Sequence, residues 1–155
     1  MGLGLVTLDA TSRTESLLRS AFVQDNGDIS PDGHWIAYES NESGRFEVYV
    51  APFPGPGGKR QVSTAGGAGP RWRADVKELF YRAADNRLMV AEVDARGGAL
   101  EVKKVSPLFG PIVGATGYDV SADGRRFLML VPVGGEADTP LTVVRNWTAG
   151  IKSGK

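Results

Sequence analysis

Asp28-Ile29-Ser30-Pro31-Asp32-Gly33-His34-Trp35-Ile36-Ala37-Tyr38 places two apolar segments on either side of a Ser-Pro-Asp-Gly turn. Proline presets φ at the second position of such a turn, aspartate bonds back to the backbone, and glycine accepts a positive φ. The apolar segments are short and rich in residues that favour strands. The stretch therefore predicts two antiparallel strands joined by a tight turn.

The same pattern occurs twice more, at Arg71–Tyr81 and at Asp119–Met129. Ser30, Arg73 and Ser121 hold the same place in the three copies and lie 43 and 48 residues apart. A strand–turn–strand repeat of this length is typical of the blades of a β-propeller. The second strand of each copy is apolar at consecutive positions, which predicts a strand covered on both faces. A two-sheet β-sandwich also buries its strands, but it has no reason to repeat its turns at a near-constant period, so the propeller is favoured.

One copy departs from the turn pattern. Arg73-Ala74-Asp75-Val76 stands where the first copy has Ser-Pro-Asp-Gly. A β-branched residue at a positive φ is strained. We therefore expect this turn to adopt a different geometry from the other two.

The composition limits the classes of partner and site. Lys+Arg and Asp+Glu both number 18 in the 155 residues, so no net charge favours nucleic acid or an anionic membrane. Cysteine is absent, which excludes disulfides and thiolate metal sites. No run of 18 apolar residues is present, and Met1–Arg13 lacks a basic segment followed by a sustained apolar core. We expect no membrane span and no signal peptide in this chain, and the compartment stays open.

The repeats resemble the WD-like propeller repeat of TolB, of propellers joined to bacterial serine/threonine kinases, and of prolyl oligopeptidase-type peptidases. The family pattern Ser-Pro-Asp-Gly-x-x-Ile-Ala-Tyr is met almost in full at Ser30–Tyr38, and Gly69–Trp72 resembles the family's Pro-x-Trp motif. Pro140–Trp147 is similar to the closing strand of kinase-fused propellers. The resemblance implies an all-β fold like the C-terminal half of a longer propeller, in a family whose members are often periplasmic or extracytoplasmic. It implies little about activity, because propellers are generic scaffolds.

The predicted organisation is a half β-propeller of about three four-stranded blades, with strands lettered a to d from the axis outward. Residues 1–148 form it: 1–22 as strands c and d of a split blade, 23–65 and 66–110 as whole blades, and 111–148 as an incomplete closing blade. The third strand of that last blade is predicted at Leu141–Trp147, and residues 149–155 are predicted to be a flexible tail.

Closure of the ring is predicted to need a second copy. A half ring leaves two blade faces and two strand edges exposed, which invites association. We expect a C₂ homodimer that forms a six-bladed ring, in which each N-terminal strand completes the last blade of the partner. A monomer with frayed ends and a trimeric or larger ring are the alternatives.

The candidate axial site consists of residues near the start of strand a in each repeat. Asp28, Arg71 and Asp119 are equivalent positions, and Asn26 and Tyr118 are close neighbours along the chain. Asp28 and Asp119, doubled in a dimer, are candidate ligands for a hard cation such as Ca²⁺, and a metal-bound water would hydrolyse esters or phosphoesters. The alternative is that both carboxylates satisfy backbone donors or pair with Arg71.

Other residues carry weaker signals. His34 is the only histidine and follows a turn on the face opposite the tunnel mouth, which disfavours a Ser-His-Asp site. The loop Val133–Asp138 is a candidate lid or partner contact. One further set is a candidate polyanion patch, although its aromatic members are expected in the core and its arginines solvated or paired: Arg71, Arg73, Arg82 and Arg87 with Trp72 and Tyr81.

Two functional hypotheses follow. The first is a non-catalytic propeller scaffold whose loop-built tunnel-mouth face binds a protein, peptide or small molecule. The second is a metal-assisted hydrolase of the lactonase, esterase or phosphotriesterase type, with its site on the propeller axis.

Overall fold

The computed structural model describes residues 2–7, 14–17, 20–55, 57–95 and 98–132, and the side chains of 14 and 15 lie outside this description. The described residues form twelve β-strands and no helix. The strands are β1 (Gly4–Val6), β2 (Thr14–Ser16), β3 (Gln24–Ile29), β4 (Trp35–Ser40), β5 (Glu47–Pro52), β6 (Arg60–Gln61), β7 (Gly67–Trp72), β8 (Glu78–Ala83), β9 (Leu88–Asp94), β10 (Glu101–Phe109), β11 (Gly117–Val120) and β12 (Phe127–Leu130).

The strands form antiparallel sheets in which neighbours in sequence are neighbours in space. The first sheet has the order β3-β4-β5-β6, and the second sheet has the order β7-β8-β9-β10. A third sheet pairs β11 with β12, and a hairpin pairs β1 with β2. This succession of four-stranded meanders confirms the predicted all-β propeller architecture.

All three turns of the repeat share one geometry. The fourth residue of each turn has a positive φ: 73° at Gly33, 58° at Val76 and 68° at Gly124. Its N–H donates to the carbonyl of the first residue at 2.8 Å, 3.0 Å and 2.8 Å respectively. The prediction of a different turn around Val76 is therefore wrong. The Val76 side chain is 8% exposed within the core between the first and second sheets, and this burial offsets the strain of its backbone.

Successive side chains on the second strand of a repeat face opposite neighbours, one toward the preceding sheet and the next toward the following sheet. Ala37 on β4 joins a core with Leu79 of the second sheet, whereas Ile36 and Tyr38 face Leu3 and Leu17 of the β1–β2 segment. On β8, Leu79 faces the first sheet and Phe80 faces Phe127 of the third sheet, with ring centroids 5.1 Å apart. Both faces of β4 and β8 are thus covered, as predicted.

The third sheet differs. Phe127 and Met129 on β12 pack toward the second sheet, but Leu128 and Leu130 are 67% and 65% exposed. Leu128 lies opposite Asp119 in the third sheet. Ala37 lies opposite Asp28 in the first sheet, and Phe80 lies opposite Arg71 in the second, so the three apolar residues hold equivalent positions. No sheet covers this face of β12 among the described residues of one copy, so the coverage of both faces stays a prediction for this strand.

A buried carboxylate holds the segment that connects the first sheet to the second. Glu47 on β5 is 1% exposed and accepts hydrogen bonds from the Ser63 hydroxyl, from the Gly66 N–H at 2.9 Å and from Arg45 Nε at 2.6 Å. Burial by itself raises the pKa of Glu47, but these three bonds outweigh it and hold the pKa below its ordinary value of 4.5.

Several predictions fall on residues outside the description: the loop 133–138, the third strand of the closing blade at 141–147 and the tail 149–155. The boundaries of the predicted domains therefore stay predictions. Within the part of the chain that is described, no helix is long and apolar enough to span a membrane.

Candidate functional site

Asp28, Arg71 and Asp119 occupy equivalent positions on the first strand of three successive sheets. Asp28 lies opposite Ala37, Arg71 opposite Phe80, and Asp119 opposite Leu128. The strand β7 packs against β3 on one side and against β11 on the other. The three candidate residues are therefore carried by adjacent strands, as the repeat alignment predicts.

The backbone just before two of these residues bulges. The pairing of β3 with β4 is interrupted between Asp25 and Asp28, and that of β7 with β8 between Ala68 and Arg71. Asn26 and Gly69 occupy these bulges with φ of 49° and 58°. Glycine adopts this conformation without cost and asparagine is among the side chains that tolerate it best. No bulge interrupts β11.

Asn26 does not point its amide at the other candidates. Its Nδ2 donates to Oε1 of Glu39 at 2.9 Å, and Oε2 of Glu39 accepts from the Gly69 N–H at 2.8 Å. Glu39 thus joins the two bulges, one in each sheet. Sequence reasoning missed Glu39, although a charged residue that directly follows the apolar run Trp35–Tyr38 was the available signal.

The two candidate carboxylates both accept from backbone donors. Asp28 Oδ2 accepts from the Trp72 N–H at 2.8 Å, and Asp119 Oδ1 accepts from the Val120 N–H at 2.8 Å. Burial raises the pKa of Asp28 above its ordinary value of 3.8, and the charge of Asp119 adds to this effect. The Trp72 N–H and the charge of Arg71 act in the opposite direction. The alternative in which these carboxylates satisfy backbone donors is the arrangement observed.

Arg71 and Arg82 are the cationic members of the cluster. Arg71 donates to the carbonyl of Pro70 at 2.7 Å, and Arg82 donates to the carbonyl of Ala115. Among the described residues, no carboxylate lies within 4.0 Å of either guanidinium group. Arg82 holds the register position on β8 that Glu39 holds on β4, and it too reaches the segment leading into the next sheet.

Tyr118 brings a hydroxyl into the same cluster. Its ring edge lies close to Gly69, with Cε1 3.8 Å from the place that a Cβ on Gly69 would take. The hydroxyl oxygen is buried and has no hydrogen-bond partner in the part of the chain that the structure describes. Burial raises the pKa of Tyr118 far above its ordinary value of 10.0, and the charges of Arg71, Asp28, Arg82 and Asp119 all act on it. The group stays protonated and is available as a donor.

The other signals are placed apart from this cluster. His34 is exposed on the turn between β3 and β4. Of the predicted polyanion patch, Trp72 and Tyr81 are buried in the core, Arg73 pairs with Glu78 at 3.1 Å, and Arg87 pairs with Asp85 at 3.4 Å. For the metal hypothesis, no group of three His, Cys, Asp or Glu side chains in the described ranges is arranged to hold an ion.

The fold is similar to that of known propellers. TolB from Acinetobacter baumannii is 19% identical with a TM-score of 0.54, over 81% of this chain and 31% of that chain. An oligogalacturonate lyase from Vibrio parahaemolyticus is 12% identical with a TM-score of 0.55, over 81% and 34%. A structure of oligogalacturonate lyase in complex with manganese is 13% identical with a TM-score of 0.55, over 81% of this chain and 35% of that chain. No protein-family model and no curated protein match the sequence.

The likeness at these identities concerns the fold alone. The chain spans about a third of the length of the solved structures it matches. Activity, substrates and partners are therefore argued from this chain's own residues.

Proposed function

We propose, for a chain with the fold of a TolB-like β-propeller, that it is a binding module whose ligand site lies where the first strands of successive sheets meet. The observation that supports this proposal is the placement of Asp28, Arg71 and Asp119 at equivalent register positions on adjacent strands. Charges of both signs and the Tyr118 hydroxyl thereby act on one another at one place.

The scaffold beneath this site is held by side-chain packing and by hydrogen bonds across the sheet boundary. Cores on both sides of the second sheet hold β7 and β8, and the Glu39 and Asp28 carboxylates bond to the backbone of β7 across the sheet boundary. Side chains on such a frame lose little freedom when a ligand binds, so more of the contact energy appears as affinity.

The hydrolase hypothesis has less support. Its two candidate ligands, Asp28 and Asp119, each already accept a backbone hydrogen bond, and no third acidic or histidine ligand joins them among the described residues. A hard cation prefers six to eight oxygen ligands. The binding module is therefore the function we propose.

The test is amide shift mapping by NMR with a library of anionic, cationic and neutral small molecules and short peptides. Binders whose shifts centre on Asp28, Arg71 and Asp119, and which weaken in Arg71→Gln but not in Arg125→Gln, support the proposal. Arg125 is a matched control because it is exposed after the turn that follows β11, at the other end of that strand. A library in which no binder maps to the cluster overturns it.

We also propose that the exposed face of β12 packs against a second copy of this chain. At the equivalent positions Ala37 and Phe80 are fully buried by the next sheet, whereas Leu128 is 67% exposed. The surface that covers such a face in two repeats of this chain is another blade, and a second copy supplies one. Closure of a six-bladed C₂ ring with strand exchange is the form we propose for this contact.

Light scattering after size-exclusion chromatography tests the second copy. A mass of twice 16.5 kDa for the wild type, falling to the monomer in Leu128→Asp, supports it. Val105→Asp, which alters an exposed apolar residue on the outer strand β10, is the control and should remain a dimer. A wild type that stays monomeric at all concentrations overturns it.

A further inference from the structure

We propose that the cluster around Tyr118 binds a carboxylate group of its ligand, with Arg71 and Arg82 as the anion-binding residues and the Tyr118 hydroxyl as an additional donor. This inference rests on the proposed binding function and names the chemistry of its ligand. It excludes a cation as the primary ligand of the site.

The first argument is the pairing of the arginines. Four arginines lie among the described residues of the second repeat, and two of them have carboxylate partners: Arg73 with Glu78 and Arg87 with Asp85. Arg71 and Arg82, the two in the cluster, have no described carboxylate within 4.0 Å and each donates to one backbone carbonyl. A guanidinium carries five N–H donors in a planar fork that matches a carboxylate. Donors of both groups are therefore available to a ligand.

The second argument is the Tyr118 hydroxyl. Its oxygen is buried and has no hydrogen-bond partner among the described residues, and the ring atom Cε1 lies 3.8 Å from the place that a Cβ on Gly69 would take. A buried hydroxyl without a hydrogen bond costs free energy, so such a group usually bonds to a bound molecule or to water. The hydroxyl keeps its proton, so it can donate a hydrogen bond to an acceptor atom of the ligand, such as a carboxylate oxygen.

The third argument selects a carboxylate among anions. Asp28 and Asp119 are part of the same electrostatic cluster, and their oxygens accept from Trp72 and Val120 rather than from the arginines. These two negative charges repel a strongly charged ligand such as a phosphate more than a singly charged one. A single carboxylate meets the arginine forks with the least repulsion.

The experiment titrates the full chain with three probes and follows amide shifts: butyrate, which carries one carboxylate, its uncharged analogue butyramide, and a blocked tripeptide with one glutamate side chain. We expect butyrate to shift the backbone amides of Gly69, Arg71 and Tyr118, and butyramide to bind at least about tenfold more weakly, since charge-assisted bonds are lost. Tighter binding of the tripeptide than of butyrate supports the proposal and assigns the carboxylate to a peptide. Tighter binding of butyrate supports it and assigns a free small molecule.

Variants separate a binding role from a structural role. Tyr118→Phe removes only the unpartnered hydroxyl, so it should weaken carboxylate binding by roughly fivefold and leave the melting temperature unchanged or raised. Arg71→Gln and Arg82→Gln should each weaken it about tenfold or more, and Arg125→Gln should not. A Tyr118→Phe variant that binds as tightly as the wild type and melts lower gives the hydroxyl a structural role and overturns the proposal.

Two outcomes overturn the proposal of a carboxylate ligand: equal binding of butyrate and butyramide, or no amide shift with either carboxylate probe. If neutral or cationic library members still map to Asp28, Arg71 and Asp119, the binding module stands and only its ligand class is wrong. If nothing maps there, both proposals fail.

Discussion

Glu39 and Gly69 are linked across the boundary between the first and second sheets, because Oε2 of Glu39 accepts the Gly69 N–H at 2.8 Å. The other oxygen of the same carboxylate accepts from the side-chain amide of Asn26, so one buried side chain is bonded to a residue of each bulge. Arg82 plays the matching part at the next boundary, where it donates to the carbonyl of Ala115. The two repeats thus make the contact from the same position. The anionic Glu39 meets a backbone N–H, whereas the cationic Arg82 meets a backbone carbonyl.

Loss of the Glu39 contact is expected to destabilise the fold. Glu39→Ala leaves the Gly69 N–H and the Asn26 amide without their acceptor, and we expect the free energy of unfolding to fall by about 1–3 kcal/mol. Urea unfolding measures it. Glu92→Ala, at an exposed position on β9, is the control and should change the free energy by less than about 0.5 kcal/mol. Equal effects of the two substitutions would show that the link between sheets contributes nothing.

Asp28 should matter for stability as an acceptor rather than as a charge. Asp28→Asn keeps an acceptor for the Trp72 N–H, whereas Asp28→Ala removes it and should cost about 1 kcal/mol. Because burial raises the pKa of the folded carboxyl, its contribution to stability is present below 3.8 and is lost as pH rises through the folded pKa. The melting temperature of Asp28→Asn, relative to that of the wild type, should therefore rise as pH rises across this range. A shift in the opposite direction would contradict the burial of the charge.

Glu47 is expected to show the opposite pH dependence. Its folded pKa is lowered, so its contribution to stability is present above the ordinary value of 4.5 and is lost as pH falls through the folded pKa. Glu47→Gln should lower the free energy of unfolding at neutral pH by about 2 kcal/mol, because charge-assisted bonds from Arg45, Ser63 and Gly66 are weakened. Urea titrations at neutral and acidic pH should show this difference narrowing in acid. A difference that stays constant would place the pH dependence on other groups.

The turn at Val76 allows a buried valine at a positive φ to be compared with an exposed valine introduced at position 33. Gly33→Val introduces at an equivalent turn position a side chain that meets only open space, at φ 73°. We expect it to cost about 1–2 kcal/mol, since strain is added without burial. Val76→Gly relieves the same strain but removes a side chain from a buried position. We therefore expect it, too, to lower the free energy of unfolding. Chemical denaturation of both variants checks this, and a stabilised Val76→Gly would mean that burial does not offset the strain.

Turn chemistry made the strands predictable. Ser30–Gly33 and Ser121–Gly124 form their turns through bonds between residues at most five apart, including Ser30 Oγ with Asp32 Oδ1 at 2.5 Å and with the Trp35 N–H at 2.9 Å. Local interactions of this kind depend on the residues present and on little else. The repeat of these turns also determined the equivalence of Asp28, Arg71 and Asp119.

The partners of the charged groups were not predictable in the same way. Glu39 and Gly69 are 30 residues apart, and Asp28 and Trp72 are 44 apart, so these contacts exist only once two sheets have packed face to face. Packing also decides which arginines are paired and which hydroxyl is buried.

The sequence by itself determined the short apolar strands, the tight turns and hence the antiparallel blades, because each follows from the conformational preferences of a few adjacent residues. Only the tertiary structure decided the conformation of Val76, the link through Glu39 and the grouping of hydrogen-bond donors around Tyr118. These depend on the burial of surface between sheets, whose free energy outweighs a local preference and brings together residues that the chain keeps far apart.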